Sequence, residues 1–189
     1  MNAIITDLID DHKRFRFLLT HYETHLDALR IGGEPNYRLL RDLAHYFSLF
    51  PDELHHKKED IIYDFLASTE DHLSSSPSQG NARLHDIRTD HDVISADAAI
   101  FRKGIVQVLA GQQLPRDELS LYGSKYILTL RRHMQHEEES FFPRACASIK
   151  PEAWRTIIDR FNDLFAKEVD THKAREVLDI EKSLLERLA

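Results

Sequence analysis

The segment from Pro51 to Phe65 reads PDELHHKKEDIIYDF and combines two histidines and a glutamate with an apolar helical pattern. Residues three or four apart share one face of an α-helix, so His55, Glu59 and Ile62 point in the same direction. His56 lies one residue further round the helix, toward a neighbouring helix. The segment therefore predicts a helix whose core-facing side carries both a histidine and a carboxylate.

A second segment, from Arg131 to Ala145, reads RRHMQHEEESFFPRA and repeats this arrangement. His133 and Glu137 lie about one helical turn apart, on the same stripe as Phe141. The sequence thus predicts a second helix that turns a histidine and a carboxylate toward the core.

Two further helical stripes each contain one histidine among apolar residues. His12 interrupts the stripe of the first helix, between Leu8 and Phe15, and His91 interrupts that of the third, between Ile87 and Ile94. A single histidine on an apolar face is more often a hydrogen-bonded core residue than a ligand. Four helices that all place histidines in the core favour one shared site.

Helical periodicity covers almost the whole chain, and no stretch shows sustained strand alternation, which predicts an all-α fold. Glycine and proline separate five predicted helices, which span about Asn2–Arg30, Tyr37–Ala67, Ala82–Ala110, Asp117–Ala147 and a last one from Pro151 with an expected break near His172. Short connections favour an up-down-up-down four-helix bundle. We therefore predict a bundle over residues 1–150 and a helical extension over 151–189 that packs on the bundle or forms a homodimer surface.

Two local features qualify these helices. Pro51 is expected to bend the second helix one turn before the histidine pair, because proline removes a backbone hydrogen bond and crowds the preceding turn. Residues 73–81, which are rich in serine, form the longest predicted loop.

Composition argues against several classes of protein. Lysine and arginine number 25 against 32 acidic residues, for a net charge of −7, so we expect no nucleic-acid partner. The chain has no apolar stretch of the roughly 20 residues that cross a membrane and no signal peptide, so we expect a cytoplasmic protein. Cys146 is the only cysteine, which excludes a thiolate-rich metal site, and we expect it to be buried.

The excess of histidine, 12 copies in the chain, points to metal, because histidine is the commonest metal ligand in proteins. Buried carboxylates beside histidines would repel one another or be protonated without a cation. Two carboxylates that can each bridge, with imidazoles at terminal positions, suit two adjacent ions. Nitrogen and oxygen donors without sulfur favour iron, although manganese and zinc also fit.

Other polar residues have a plainer interpretation. His136 is expected at a helix boundary, and Glu138 and Glu139 are expected in solvent. His21 and His25 are four residues apart but miss the apolar stripe, so we interpret them as surface residues.

Together the two quoted segments resemble the haemerythrin-like, or HHE cation-binding, domains, over about residues 4–147. This resemblance implies a di-iron centre whose ligands in this sequence are His12, His55, Glu59, His91, His133 and Glu137, with His56 matching a ligand found in some members. Animal haemerythrins carry a second histidine four residues along the third helix, where this chain has Ser95. That departure disfavours reversible oxygen carriage and leaves room for another ligand or water.

Three functions remain open at this stage. The first is a di-iron protein that binds or senses a small oxidant or gas, such as O2, NO or peroxide. The second is an enzyme that reduces peroxide or NO at the same centre. The third is a metal-free or zinc-binding helical protein that acts through interactions, which folding without metal would support.

Overall fold

The computed structural model describes residues 2–71, 79–168 and 172–189, and every regular element within them is helical. In chain order the elements are α1 Ala3–Arg30, α2 Tyr37–Phe47, a first π turn Pro51–His55, α3 His56–Asp71, α4 Gln79–Leu109, α5 Arg116–His136, a second π turn Glu137–Phe141, α6 Phe142–Ser148, α7 Pro151–Glu168 and α8 His172–Leu188. The predicted all-α class is confirmed.

The long helices pack as a ring of four sides. α1 contacts α2 and α5, and α4 contacts α5 on one side and both α2 and α3 on the other. Because α2 and α3 follow one another along one side, and α5 and α6 along another, the chain forms the predicted four-helix bundle.

A polar layer divides the core of this bundle into two apolar clusters. On α1, Leu8 belongs to one cluster and Phe15 to the other, and the fully buried His12 lies between them. The other three sides of the bundle follow the same order, with buried polar residues between the two clusters: Glu59, His91, His133 and Glu137. The candidate ligands therefore lie at one level of the bundle.

Both C-terminal helices pack against the bundle. α7 contacts α3 and adds Trp154 and Ile157 to one apolar cluster, while α8 contacts α1 and α2 and adds Val177 and Leu184 to the other. The expected break falls just before the start of α8, and residues 169–171 lie outside the described part. The division of the chain at residue 150 and the homodimer surface stay predictions.

The second predicted helix is broken rather than bent. α2 ends at Phe47, and the chain re-enters helical geometry through the first π turn, which begins at Pro51. Proline has no N–H to donate to the carbonyl of Phe47 four residues earlier. The N–H of His56 instead donates to the carbonyl of Pro51, five residues back, which defines the wider π geometry.

The fourth predicted helix contains a second interruption of the same kind. The N–H of Phe142 donates to the carbonyl of Glu137, five residues back, and Pro143 follows directly. At the start of α4, residues 79–81 are helical although the sequence predicted a loop over 73–81; residues 72–78 lie outside the described part.

Cys146 is exposed, so the expectation of a buried thiol is wrong. The neighbouring Ala145 takes the inward position on α6 and is fully buried. Among the described residues, no helix has both the length and the hydropathy needed to cross a membrane.

Gly123 of α5 allows the close approach of two neighbouring helices. An added Cβ would lie 2.7 Å from Cδ1 of Leu26 on α1 and 2.8 Å from Cε2 of Phe101 on α4. We expect Gly123→Ala to lower the free energy of unfolding by about 1–3 kcal/mol, as overpacked cores do. Chemical denaturation measures this loss, and Ser124→Ala, at an exposed position of the same helix, is the control that should leave stability nearly unchanged.

Candidate metal centre

Two groups of buried side chains meet in the polar layer, and the first contains three histidines. His56, Glu59, His91 and His133 each offer one ligand atom, and these atoms all lie within 4.8 Å of one another. The ring of His56 stacks on that of His91, with centroids 3.9 Å apart. The four side chains come from α3, α4 and α5, so three sides of the bundle build this group.

The second group contains two histidines and two carboxylates. His12, His55, Glu59 and Glu137 again offer ligand atoms within 4.8 Å of one another, and all four are buried. Glu59 belongs to both groups. The structure thus brings together all seven candidate residues as two adjacent ligand sets with a shared carboxylate.

Each of the two glutamates spans both groups with its two oxygens. Oε1 of Glu59 lies 3.2 Å from Nε2 of His55, and its Oε2 lies 3.5 Å from Nε2 of His91. Oε1 of Glu137 lies 3.2 Å from Nε2 of His133, and its Oε2 lies 3.3 Å from Nε2 of His12. Each carboxylate therefore presents one oxygen to each ligand set, which is the arrangement a bridging carboxylate needs.

The charged groups in this layer strongly shift one another's pKa values. Burial lowers the pKa of His55, but the charge of Glu59 and a hydrogen bond to Asp11 outweigh it and raise the pKa to about 9. Burial is likewise outweighed at His133, where Glu137 raises the pKa to about 10. Burial would raise the pKa of Glu59, yet its histidine neighbours hold that pKa well below the usual range. Positive charge at this layer thus stabilises the two buried carboxylates.

The donor atoms of the centre fit metal ions better than they fit one another. Both oxygens of Glu59 and of Glu137 are buried without a hydrogen-bond partner, and so is Nε2 of both His91 and His133. Nε2 of His12 and Nε2 of His55 face each other at 3.0 Å. Unsatisfied buried acceptors are costly unless a cation or donor reaches them. Imidazole nitrogens with carboxylate oxygens form a donor set that first-row transition metals favour.

A ring of four outer carboxylates orients four of the histidines. Oδ2 of Asp11 on α1 lies 3.0 Å from Nδ1 of His55. Oδ1 of Asp60 on α3 lies 3.6 Å from Nδ1 of His91 on α4. Because each Nδ1 faces a carboxylate, the opposite Nε2 of each ring faces the centre, as in carboxylate–histidine–metal arrangements.

The remaining two contacts close this ring around the bundle. Oδ2 of Asp90 on α4 lies 3.7 Å from Nδ1 of His133 on α5. Oε1 of Glu138, in the second π turn, accepts a hydrogen bond from Nδ1 of His12 on α1 at 2.8 Å. Each side of the bundle therefore places a carboxylate beside a histidine of the next side, and at His55 and His12 the contact is a hydrogen bond.

These four contacts were not predicted from the sequence, and the prediction that Glu138 faces solvent was wrong. Glu138 is only partly exposed and pairs with both His12 and Arg16 rather than facing solvent. A signal was present, because each outer carboxylate is adjacent in sequence to a candidate ligand on its own helix. Glu138 was expected in solvent because it lies about 100° round the helix from Glu137. In the structure it points at His12 of the neighbouring helix.

The two π turns lie where ligands are presented. The first ends at His55, directly before His56, and these two adjacent residues are both buried and reach different ligand sets. The second π turn begins at Glu137, so that this residue and the adjacent Glu138 both contact histidines. Wider turns of this kind are common at functional sites, since an extra residue redirects nearby side chains.

The remaining predicted positions have other surroundings. The hydroxyl of Ser95 donates to the carbonyl of His91 at 2.9 Å, so its oxygen bonds the backbone of its own helix. Among the described residues, neither ligand set includes His136, His21 or His25.

We expect His91→Ala to lose metal, because the substitution removes a donor of the three-histidine set. Metal affinity should fall at least about tenfold, and the gain in melting temperature on metal addition should shrink with it. Isothermal titration and thermal unfolding with and without metal measure both quantities. His21→Ala is the matched control, since His21 packs against Phe17 on the outer face of α1; equal metal binding in both variants would contradict the ligand assignment.

Metal binding should release protons. Since the pKa of His55 is about 9 and that of His133 about 10, both imidazoles carry a proton at neutral pH in the metal-free protein. A metal ion needs the neutral ring, so protons and metal compete, and apparent affinity should rise as pH rises from 6 toward 9. An indicator dye in weakly buffered solution measures the released protons, and His55→Asn should release fewer. Affinity that falls as pH rises would contradict this reasoning.

The comparisons with known proteins agree with this geometry. A family model, the hemerythrin HHE cation binding domain, matches residues 3–145, which include all seven candidate ligands. No curated protein and no solved structure matches the chain. The match covers most of the chain and confirms the resemblance seen in the sequence: this chain belongs to the hemerythrin HHE cation-binding domain family.

Proposed function

We propose that this chain is a non-haem di-iron protein that binds or senses a small oxidant or gas, such as O2, NO or peroxide. The observation that carries the proposal is the pair of overlapping ligand sets. Glu59 belongs to both sets, and the oxygens of Glu137 reach a histidine of each set. Two adjacent ions in these sets would give partners to all four oxygens of Glu59 and Glu137, which are buried without a hydrogen-bond partner.

The donor set supports iron. Five histidines and two glutamates face the centre, and neither set contains a sulfur ligand. Manganese prefers a site richer in oxygen, and a structural zinc is satisfied by four donors in a closed tetrahedron. A histidine-rich site with more than four donors and bridging carboxylates suits iron better than either.

The unequal histidine content of the two sets supports a binding position for a small ligand. The first set has His56, His91 and His133, whereas the second has only His12 and His55 beside the carboxylates. If Glu59 and Glu137 each offered one oxygen to each ion, an ion in the first set would have five protein donors and an ion in the second set four. An ion that favours six donors would then keep more room for an external ligand in the second set.

Aromatic walls around the second set favour a diatomic or similarly small ligand. The ring of His12 stacks on Phe142, with centroids 5.6 Å apart, and Phe15 meets the ring of His55 edge-on at 5.0 Å. Bound iron would supply the electrons and the open coordination position. The residues of this chain balance the charge of the centre, orient the imidazoles and exclude bulk water.

We place the protein in the cytoplasm as part of this proposal.

Elemental analysis of protein purified without added metal tests the proposal, with visible spectra before and after dithionite. We expect about two irons per chain and a charge-transfer band that reduction bleaches and that NO or azide shifts. Glu137→Gln should retain at most one iron, while Glu139→Gln, at an exposed position two residues away, should match the wild type.

The other outcomes separate the remaining functions. Catalytic consumption of peroxide or NO would make the chain an enzyme rather than a sensor. A single zinc or no metal, with unchanged folding after chelation, would overturn the di-iron proposal and favour an interaction protein.

A further inference from the structure

A buried glutamate of the last helix lies in a network that leads to the metal centre. The side chain of Glu181 on α8 is only 12% exposed, and its Oε1 accepts two hydrogen bonds. One comes from the hydroxyl of the buried Tyr46 on α2 at 2.7 Å, and the other from Nε of Arg14 on α1 at 3.2 Å. Glu181 thus links three helices at one point.

Arg14 carries this connection one step closer to the ligands. Its Nη2 donates to Oδ1 of Asp11, one turn earlier on α1. The other oxygen of Asp11, Oδ2, lies 3.0 Å from Nδ1 of His55. An unbroken series of charged hydrogen bonds therefore runs from α8 through Arg14 and Asp11 to a candidate ligand of the two-histidine set.

The orientation of Asp11 depends on its cationic partners. Asp11 is 1% exposed, and such a carboxylate is costly to bury unless paired charges and hydrogen bonds surround it. Lys58 and His55 approach its Oδ2, and Arg14 approaches its Oδ1. Arg14 is the partner that fixes the second oxygen and hence the rotation of the carboxylate.

The orientation of the Arg14 side chain depends on a second partner. Its side chain is 35% exposed, so solvent is within reach of the guanidinium group. Glu181 supplies a second anionic partner on the inner side, which favours the extended geometry that reaches Asp11. Without this anchor, hydration of the guanidinium would compete with the contact to Asp11.

We infer that Glu181 is a positioning residue of the metal centre, which acts through Arg14 and Asp11 on the orientation of the His55 imidazole. α8 lies beyond residues 3–145, which the family model covers, so this role belongs to the chain's own C-terminal helix. The inference rests on the metal-binding function proposed above. It assigns α8 a part in tuning the ion held by the two-histidine set.

Thermodynamic linkage requires the coupling between α8 and the metal centre to act in both directions. If the docking of α8 strengthens metal binding through His55, then metal binding must strengthen the docking of α8 by the same factor. Hydrogen exchange of the α8 amides should therefore slow when metal is added to the full-length wild-type protein. A glutamate that only packs α8 against the bundle would stabilise the helix equally with and without metal.

Glu181→Ala in the full chain tests the inference, with cobalt(II) as the probe. We expect the ion held by the two-histidine set to bind on the order of tenfold more weakly, the size of effect seen when outer partners of ligands are removed. The ion of the three-histidine set should be little affected. The slowing of α8 exchange by metal should be lost. Glu181→Gln, which keeps an oxygen for Arg14 and Tyr46, should restore part of both effects.

Glu186→Ala is the matched control, because Glu186 lies on the same helix and is 66% exposed. Two metal ions bound by Glu181→Ala with wild-type affinity, together with metal-dependent exchange of α8, would overturn the inference. If Glu181→Ala does not fold, Tyr46→Phe removes one partner of Glu181 and leaves the ring in the core. A few-fold selective weakening in that variant supports the inference, whereas α8 exchange in the wild type that does not slow when metal is added refutes it. Failure of the wild type to bind any metal would instead refute the proposed function.

Discussion

Two fully buried carboxylates, Glu59 and Glu137, impose the constraint on which the rest of this structure depends. Both lie between apolar clusters, where an uncompensated negative charge is very costly. Five imidazoles surround them, and the raised pKa of His55 and of His133 shows how strongly the layer attracts positive charge. A bundle built only for stability would fill this layer with aliphatic side chains, which often stabilise a core as well as buried ion pairs do.

The packing around this layer directs the ligand atoms of the histidines toward the metal centre. Each side of the bundle provides at least one inward ligand and one carboxylate beside a histidine of the next side. The orientation of four of the five imidazoles therefore depends on the packing of two helices. α8 is connected to these carboxylates as well, because its Glu181 contacts Arg14, which in turn donates to Asp11. Rigid helices carry nearly all of these groups, which favours a preorganised centre.

Helical periodicity was sufficient to predict the bundle and to turn His12, His91 and His133 inward, because apolar neighbours define their faces. The resemblance to a known family added His56, which lies off the apolar stripe and could not be assigned by periodicity. The outer carboxylates could not be predicted from periodicity, because the histidine that Asp11 or Glu138 contacts lies on a neighbouring helix. The π turns were missed for a related reason: Pro51 and Pro143 signal a disturbance but not the number of residues that the disturbed turn will contain.

The two π turns also carry a consequence for how such a centre arises over evolutionary time. A π turn corresponds to one extra residue in an α-helix, so its genetic equivalent is the insertion of a single codon. Loss of one residue from Glu137–Phe141 would return that helix to regular geometry and leave the residues beyond it facing as they do now, while changing how Glu137 and Glu138 are presented within the turn. Gain or loss of a single codon at these two places would therefore change how the ligands are presented without replacing any of them.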